Sequence, residues 1–236
     1  MKAKGIVIEL IESFVSLIYP NVCINCSKVL FNYEKGICSI CLANLPRCSS
    51  NMILEKELKN KFIFEPKIDN VKSFLIYRPK GIGQKLIHAL KYKDNQQFGH
   101  ILGSMFAEEL SKANFHEKYD LVIPIPLHKN KLRTRGYNQS ECIANPIAEK
   151  LKLPHAPHGL IRTVFTKTQT RKDKVHRWSG LNNPFVVNDE YDLNERRILL
   201  VDDVITTGAT ISAAVEALIL AGVTSVGVVS LAMPKK

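Results

Sequence analysis

No stretch of this sequence approaches the roughly 20 consecutive apolar residues that a membrane span requires, so insertion into a bilayer is not expected. The N-terminus has the outline of a secretory leader, with Lys2 and Lys4 ahead of the run from Ile6 to Ile18. Glu9 and Glu12 interrupt that run, however, and no small-residue cleavage site follows. Glu9, Glu12, Ser13 and Ser16 recur at helical spacing, which predicts an amphipathic helix over 1–20 and, with no leader, a cytoplasmic protein. Internal repeats and low-complexity tracts are absent too. Acidic residues are scarce: 22 Asp+Glu against 33 Lys+Arg leave a net charge of +11. That excess suits polyanions, whether phosphorylated metabolites or nucleic acid, and by itself suits mere solubility equally well. The 236 residues are 45% apolar and 23% charged, which excludes a disordered chain, a collagen-like repeat and a disulfide-dense miniprotein. One core with a small appendage is the expectation.

The appendage is read from the cysteines. Five of six lie between positions 23 and 48: Cys23-x2-Cys26, eleven residues, Cys38-x2-Cys41, then Cys48. Two C-x-x-C knuckles bring four thiolates around one tetrahedral zinc, each tight turn supplying two ligands. Gly36 offers a turn between them, and a small β-ribbon is expected. Two disulfides, which would call for secretion, and a chance cluster are the alternatives. Cys48 is left as a substitute ligand or a free thiol, and Cys142 as a packing residue.

Four segments follow: an N-terminal helix at 1–20, the zinc ribbon at 21–50, a polar connector at 51–70 and the main domain at 71–236. In that domain Val71–Tyr77, Tyr119–Ile125, Leu160–Phe165, Arg197–Val201 and Ser225–Leu231 read as strands. Gln84–Tyr92, Phe98–Ser111, Asn138–Leu151 and Ala209–Ala221 read as helices. Apolar strands alternating with helices imply an α/β fold whose mostly parallel sheet is covered on both faces. Residues 162–178 are too polar for a core and form a basic surface loop, either a lid over an anion or a solvated loop. Across 128–178 there are twelve Lys/Arg against three acids, +9 of the total +11. His128 and His176 in this region are expected to be solvated or beside phosphate, and Tyr137 and Trp178 are the stacking candidates for bases.

The chemistry concentrates in Ile198-Leu199-Leu200-Val201-Asp202-Asp203-Val204-Ile205-Thr206-Thr207-Gly208-Ala209-Thr210. Buried apolar residues deliver two adjacent, exposed carboxylates to the carboxyl end of a strand, the edge where open α/β sheets bind ligands. Thr206 to Thr210 form a turn into the next helix, whose N–H groups and dipole favour an anion, and Gly208 permits close approach. An acid pair accepts hydrogen bonds from the vicinal hydroxyls of a ribose, so pair and turn together describe a ribose 5-phosphate. A plain strand-to-helix turn with capping threonines is the alternative. No G-x-x-x-x-G-K-[ST] occurs, and Gly81-Ile82-Gly83 does not continue to a third glycine, so P-loop and dinucleotide sites are not supported.

These thirteen residues closely resemble the signature of type I phosphoribosyltransferases, which bind phosphoribosyl pyrophosphate (PRPP) with Mg²⁺. The cysteine segment, Leu90-Lys91-Tyr92, Ile123-Pro124-Ile125-Pro126-Leu127, Arg135-Gly136-Tyr137-Asn138-Gln139, and Gln169 with Arg177 before Asn183 and Phe185 come in the same order as in ComF-type competence proteins. That family is also described as amidophosphoribosyltransferase-like, and the resemblance covers essentially the whole chain. It implies a type I phosphoribosyltransferase fold preceded by a zinc ribbon. Asp202 and Asp203 would hold the ribose hydroxyls, and Thr206, Thr207, Gly208, Ala209 and Thr210 the 5-phosphate. Pro126 and Leu127 would form the pyrophosphate loop with Arg135 nearby, and Gln169, Arg171, Lys172 and Arg177 would belong to a flexible hood. No catalytic residue is assigned. The resemblance also implies a role in DNA uptake and natural transformation, with non-specific binding of single-stranded DNA and competence-machinery proteins as partners. The alternative is an active phosphoribosyltransferase of nucleotide metabolism that transfers phosphoribosyl to an unidentified nitrogen acceptor and releases pyrophosphate. Two departures stand out. Thr206 takes the place of the Asp that serves as presumed base in purine-salvage relatives, and of a second pair of knuckles only Cys48 remains. Nor is there a glutaminase-like segment to supply ammonia.

Overall fold

The computed structural model describes residues 20–49, 51–92, 96–163 and 183–235. Residues 1–19, where the amphipathic helix is expected, lie outside the described residues, as do Gln169, Arg171, Lys172, Arg177 and Trp178 of the basic stretch. The chain divides into two compact units, Met1–Leu45 and Pro46–Lys236.

In the first unit, an antiparallel bridge between Val22 and Val29 closes the first cysteine knuckle. The Cys23 N–H donates to the Lys28 carbonyl at 2.8 Å, and Ser27, at φ 60°, turns the chain. The second knuckle opens a short helix, α1 (Ser39–Ala43), with Cys38 as its N-cap and Cys41 inside it. The ribbon is thus one bridge and one helical turn; a metal-ligating turn needs only the tight geometry, which either supplies.

The second unit begins with three residues that extend the sheet. Ile76 donates to the Pro46 carbonyl at 2.7 Å, and the Cys48 N–H to the Phe74 carbonyl at 2.9 Å. Residues 51–70 are not a polar connector. They contain helix α2 (Met52–Asn60), capped by Asn51, whose side chain accepts from the Leu54 N–H at 3.2 Å. Leu54 and Leu58, four apart on one face, are buried and anchor it, while its charged positions stay in water. The remaining elements are β1 (Ile68–Tyr77), α3 (Ile82–Tyr92), α4 (Gln96–Lys112), α5 (Phe115–Lys118), β2 (Leu121–Pro124), α6 (Lys129–Arg135), α7 (Gln139–Leu151), β3 (Leu160–Arg162), β4 (Phe185–Val187), β5 (Arg197–Val204), α8 (Ala209–Leu220) and β6 (Ser225–Pro234).

Strands β1, β6, β5 and β2 form one sheet in that order, every pair parallel, and β3 pairs with β4 as a separate antiparallel ribbon. Parallel strands are covered on both faces, and the central β6 is buried at eight consecutive positions. Ile198, Leu200, Val226 and Val228 join Leu54 and Leu58 of α2 and Ile211, Val215 and Leu218 of α8 in one core. Residues of opposite parity, such as Leu199, Val201, Val229 and Leu231, are equally buried. Helix α7 packs on β2 and β5 and lies close to α4. At that crossing a Cβ on Gly103 would come within 2.7 Å of Pro146 Cγ and 2.8 Å of the Ile143 carbonyl, so only glycine fits. All four strands point the same way, which gathers their carboxyl ends along one edge.

Candidate functional site

At that edge β5 leaves the core through Asp202 and Asp203. The sequence leads one to expect two exposed carboxylates; the structure corrects this, since Asp202 is only 8% exposed. The two carboxylates find different partners. Asp202 Oδ1 accepts from the Ser140 hydroxyl of α7 at 3.1 Å and from the Asp203 N–H at 2.8 Å. Asp203 Oδ2 pairs with the Lys91 ammonium of α3 at 3.0 Å. Burial, reinforced by the neighbouring Asp203 charge, pushes the Asp202 carboxyl up to about 7 against the pull of the Asp203 N–H, Ser140 and Lys91.

The turn after β5 presents its donors outward. Ile205 is buried and its N–H donates to Ala232, which pins the start of the turn, whereas Thr206, Thr207 and Ala209 are exposed and Thr210 half-buried. Gly208 is the N-cap of α8 at φ 92°, a left-handed conformation, and has no side chain to cap the helix, while the Ala209 N–H donates to Thr207 Oγ1 at 3.4 Å. The turn is braced from α2's end: Lys61 donates to the Thr206 carbonyl, and a Cβ on Gly208 would come within 2.9 Å of the Phe62 ring. The exposed start of a twelve-residue helix makes a cradle for an anion.

A second loop leaves β2 alongside. Pro124 pairs with Val201, and the Ile125 N–H donates to the Val201 carbonyl at 2.8 Å, so Pro126 and Leu127 begin one residue from the register of the acid pair. Asn138 Nδ2 holds the Ile125 carbonyl at 3.1 Å, and Arg135 donates to Gln139 Oε1 at 2.8 Å. Between them α6 buries no residue and carries Lys129, Lys131, Arg133 and Arg135 with no acid. His128 caps it, its Nδ1 accepting from the Asn130 N–H at 3.2 Å. Tyr137 is not a stacking platform: it is buried and its hydroxyl donates to the Leu90 carbonyl.

Sequence reasoning missed four residues of this edge. Lys91 was legible as part of Leu90-Lys91-Tyr92 but not as a partner of Asp203. Ser140 carried no signal beyond its place after Asn138-Gln139. Lys61 and Phe62 carried none, since they follow a stretch that reads as a connector.

In the first unit, Cys23, Cys26, Cys38 and Cys41 bring their sulfurs within 4.8 Å of one another, the one metal-competent cluster among the described residues. Cys26 and Cys38 sulfurs are 3.7 Å apart, close to the ~3.8 Å that tetrahedral Zn–S bonds of about 2.3 Å dictate. Burial resists ionisation of Cys23, but the N–H groups of Cys26, Cys38 and Asn25 outweigh it and bring the thiol to about 6. The Asn25 amide favours the Cys41 thiolate, yet burial and the three neighbouring thiols push it up to about 12. Four thiols this close cannot all ionise alone, and a divalent cation removes that conflict. The cluster can hold a metal. Cys48 is outside it, buried in the sheet unit with its thiol 3.6 Å from the Met233 sulfur.

A family model described as "Phosphoribosyl transferase domain" matches residues 137–236, which span α7, the acid pair and the anion cradle. The parallel sheet, to which the matched residues contribute β5 and β6, agrees with the type I fold expected from the signature. Among curated proteins the chain is 28% identical over 202 residues to Competence protein F of Haemophilus influenzae, covering 80% of this chain and 87% of that one. It is 26% identical over 227 residues to DNA utilization protein YhgH of Shigella flexneri, covering 90% and 96%. To Competence protein ComFC of Bacillus subtilis it is 29% identical over 147 residues, covering 62% and 58%. The similarity to YhgH, covering 90% of this chain, extends beyond residues 137–236 into the cysteine-bearing part. No helix among the described residues is long and apolar enough to cross a membrane.

Proposed function

We propose that this protein binds PRPP with Mg²⁺ at the carboxyl edge of its phosphoribosyl transferase domain and serves DNA uptake by handling single-stranded DNA. The observation that carries the ligand reading is the juxtaposition of Asp202 and Asp203 with the exposed turn Thr206–Thr210 at the start of α8. The carboxylates accept the ribose 2- and 3-hydroxyls, and the turn holds the 5-phosphate. Pro126, Leu127 and Arg135 take the diphosphate, over which Gln169, Arg171, Lys172 and Arg177 would close. Mg²⁺ arriving on the diphosphate supplies charge neutralisation for a leaving pyrophosphate.

The names of the homologues support the DNA role, and the exposed cations of α6 offer an extended polyanion a sequence-independent surface. Zinc is the metal we assign to Cys23, Cys26, Cys38 and Cys41, as thiolate spacing and geometry favour it.

Calorimetric titration of PRPP with Mg²⁺ into wild type and Asp202→Asn/Asp203→Asn is the test, followed by an assay for pyrophosphate. Binding by wild type and its loss in the double variant are expected; equal binding by both overturns the site. The same preparation should bind a labelled oligothymidylate with an affinity falling at least about tenfold from 50 to 200 mM salt. An affinity insensitive to salt removes the DNA reading. Protein purified without chelator should carry one zinc per chain by elemental analysis. Metal-free protein with Cys23 and Cys26 freely titratable would sink the zinc assignment.

A further inference from the structure

Lys91 lies outside the thirteen-residue signature, yet its ammonium is 3.0 Å from Asp203 Oδ2, in a pair whose side chains are only 23% and 15% exposed. It reaches the sheet edge because the end of α3 is tied there. Leu86, Ile87 and Leu90 are buried, which fixes the rotation of the helix, and the Tyr137 hydroxyl donates to the Leu90 carbonyl. Lys91, one residue beyond the last buried leucine, is thereby brought to the acid pair.

Two adjacent carboxylates of low exposure are what a hard divalent cation seeks, since they offer oxygen ligands and negative charge. They also stand beside loops read as phosphate sites, where uncompensated negative charge opposes the ligand. An ammonium on Asp203 answers both conditions. It neutralises one carboxylate and stands where a metal ion would otherwise settle. We propose that Lys91 is a positioning residue of this site, a built-in cation that keeps free divalent metal off Asp202 and Asp203. The pair is thereby reserved for the hydroxyls of a ribose phosphate whose metal arrives on its diphosphate. The ligand in this statement rests on the PRPP reading; the exclusion of free metal does not.

Mn²⁺, followed by electron paramagnetic resonance, is the probe, added to ligand-free protein with its cysteine metal in place. Lys91→Met should gain one bound Mn²⁺ at least about tenfold tighter than wild type, because a neutral side chain leaves the carboxylates uncompensated. Lys91→Gln, close in length and still a hydrogen-bond donor, should gain it as well. Adding Asp203→Asn to Lys91→Met should abolish the gain, and Lys91→Arg should behave as wild type. PRPP–Mg²⁺ affinity should fall about tenfold in both neutral variants and return in Lys91→Arg. Mn²⁺ binding equal in wild type and both neutral variants overturns the proposal, whatever PRPP does. A gain of Mn²⁺ in the neutral variants, with no PRPP binding by wild type, overturns the ligand reading and upholds the cation role.

Discussion

Replacing Gly227 with alanine is expected to destabilise the protein by about 3 kcal/mol or to prevent folding outright. Gly227 lies in β6, hydrogen-bonded on both sides to β1 and β5. A Cβ there would land in the ring of Tyr119, 2.7 Å from Cε1 and closer still to Cζ and the hydroxyl. The ring has nowhere to retreat: it is 1% exposed, packs on Phe115 at 5.5 Å between centroids, and its hydroxyl donates to Asp69 at 2.7 Å. Neither can β6 move, with neighbours on both edges. Urea unfolding of Gly227→Ala, Tyr119→Leu and the double variant would measure this. The double variant should be more stable than the sum of the single losses predicts, because the smaller side chain makes room for the methyl. Additive losses would mean that the two residues do not share the space described.

Asp202→Asn is expected to do the opposite, stabilising the ligand-free protein while weakening the ribose phosphate binding proposed above. In the unfolded chain this carboxyl ionises near 3.8, and in the folded protein burial and Asp203 hold it protonated until about 7. Between those values the folded state binds the extra proton, so stability falls as pH rises through the window, and above it the full cost of a buried charge is present. That cost is on the order of 4 kcal/mol, and asparagine does not incur it. Unfolding at pH 5 and pH 8 should show a small advantage for the variant at the lower pH and a larger one at the higher. An advantage that does not change with pH would mean that Asp202 is ionised throughout. On the proposed PRPP reading, the native residue is a position where binding is kept at the expense of stability.

Much of this arrangement was legible from particular residues. The run Ile198–Val201 announced a buried strand, and the glycine and threonines after Asp203 announced a turn into a helix. The two C-x-x-C pairs announced a four-sulfur cluster, because ligand spacing is a local property. What escaped was set by tertiary contact. Helix α2 has only Leu54 and Leu58 to bury, too few for a periodic signal among Glu55, Lys56, Glu57 and Lys59. Strand β4 is three residues long and exists through its pairing with β3. Burial of Asp202 follows from α7 covering it, and the pairing of Lys91 with Asp203 depends on where α3 ends. No window on the sequence contains either fact.

The order of the sheet also bears on how the protein is made. β6 sits between β1 and β5 yet leaves the ribosome after both, and Ser73 meets Ser230 across 157 residues of chain. At about 5–20 residues per second, β1 waits on the order of ten seconds for the strand that pairs with it. Throughout that interval its apolar residues Phe74, Leu75 and Ile76 lack their native cover, the condition under which nascent chains aggregate or recruit chaperones. Closure of the sheet, and with it the assembly of the acid pair and the anion cradle, therefore waits on β6, the last of the four strands to be made.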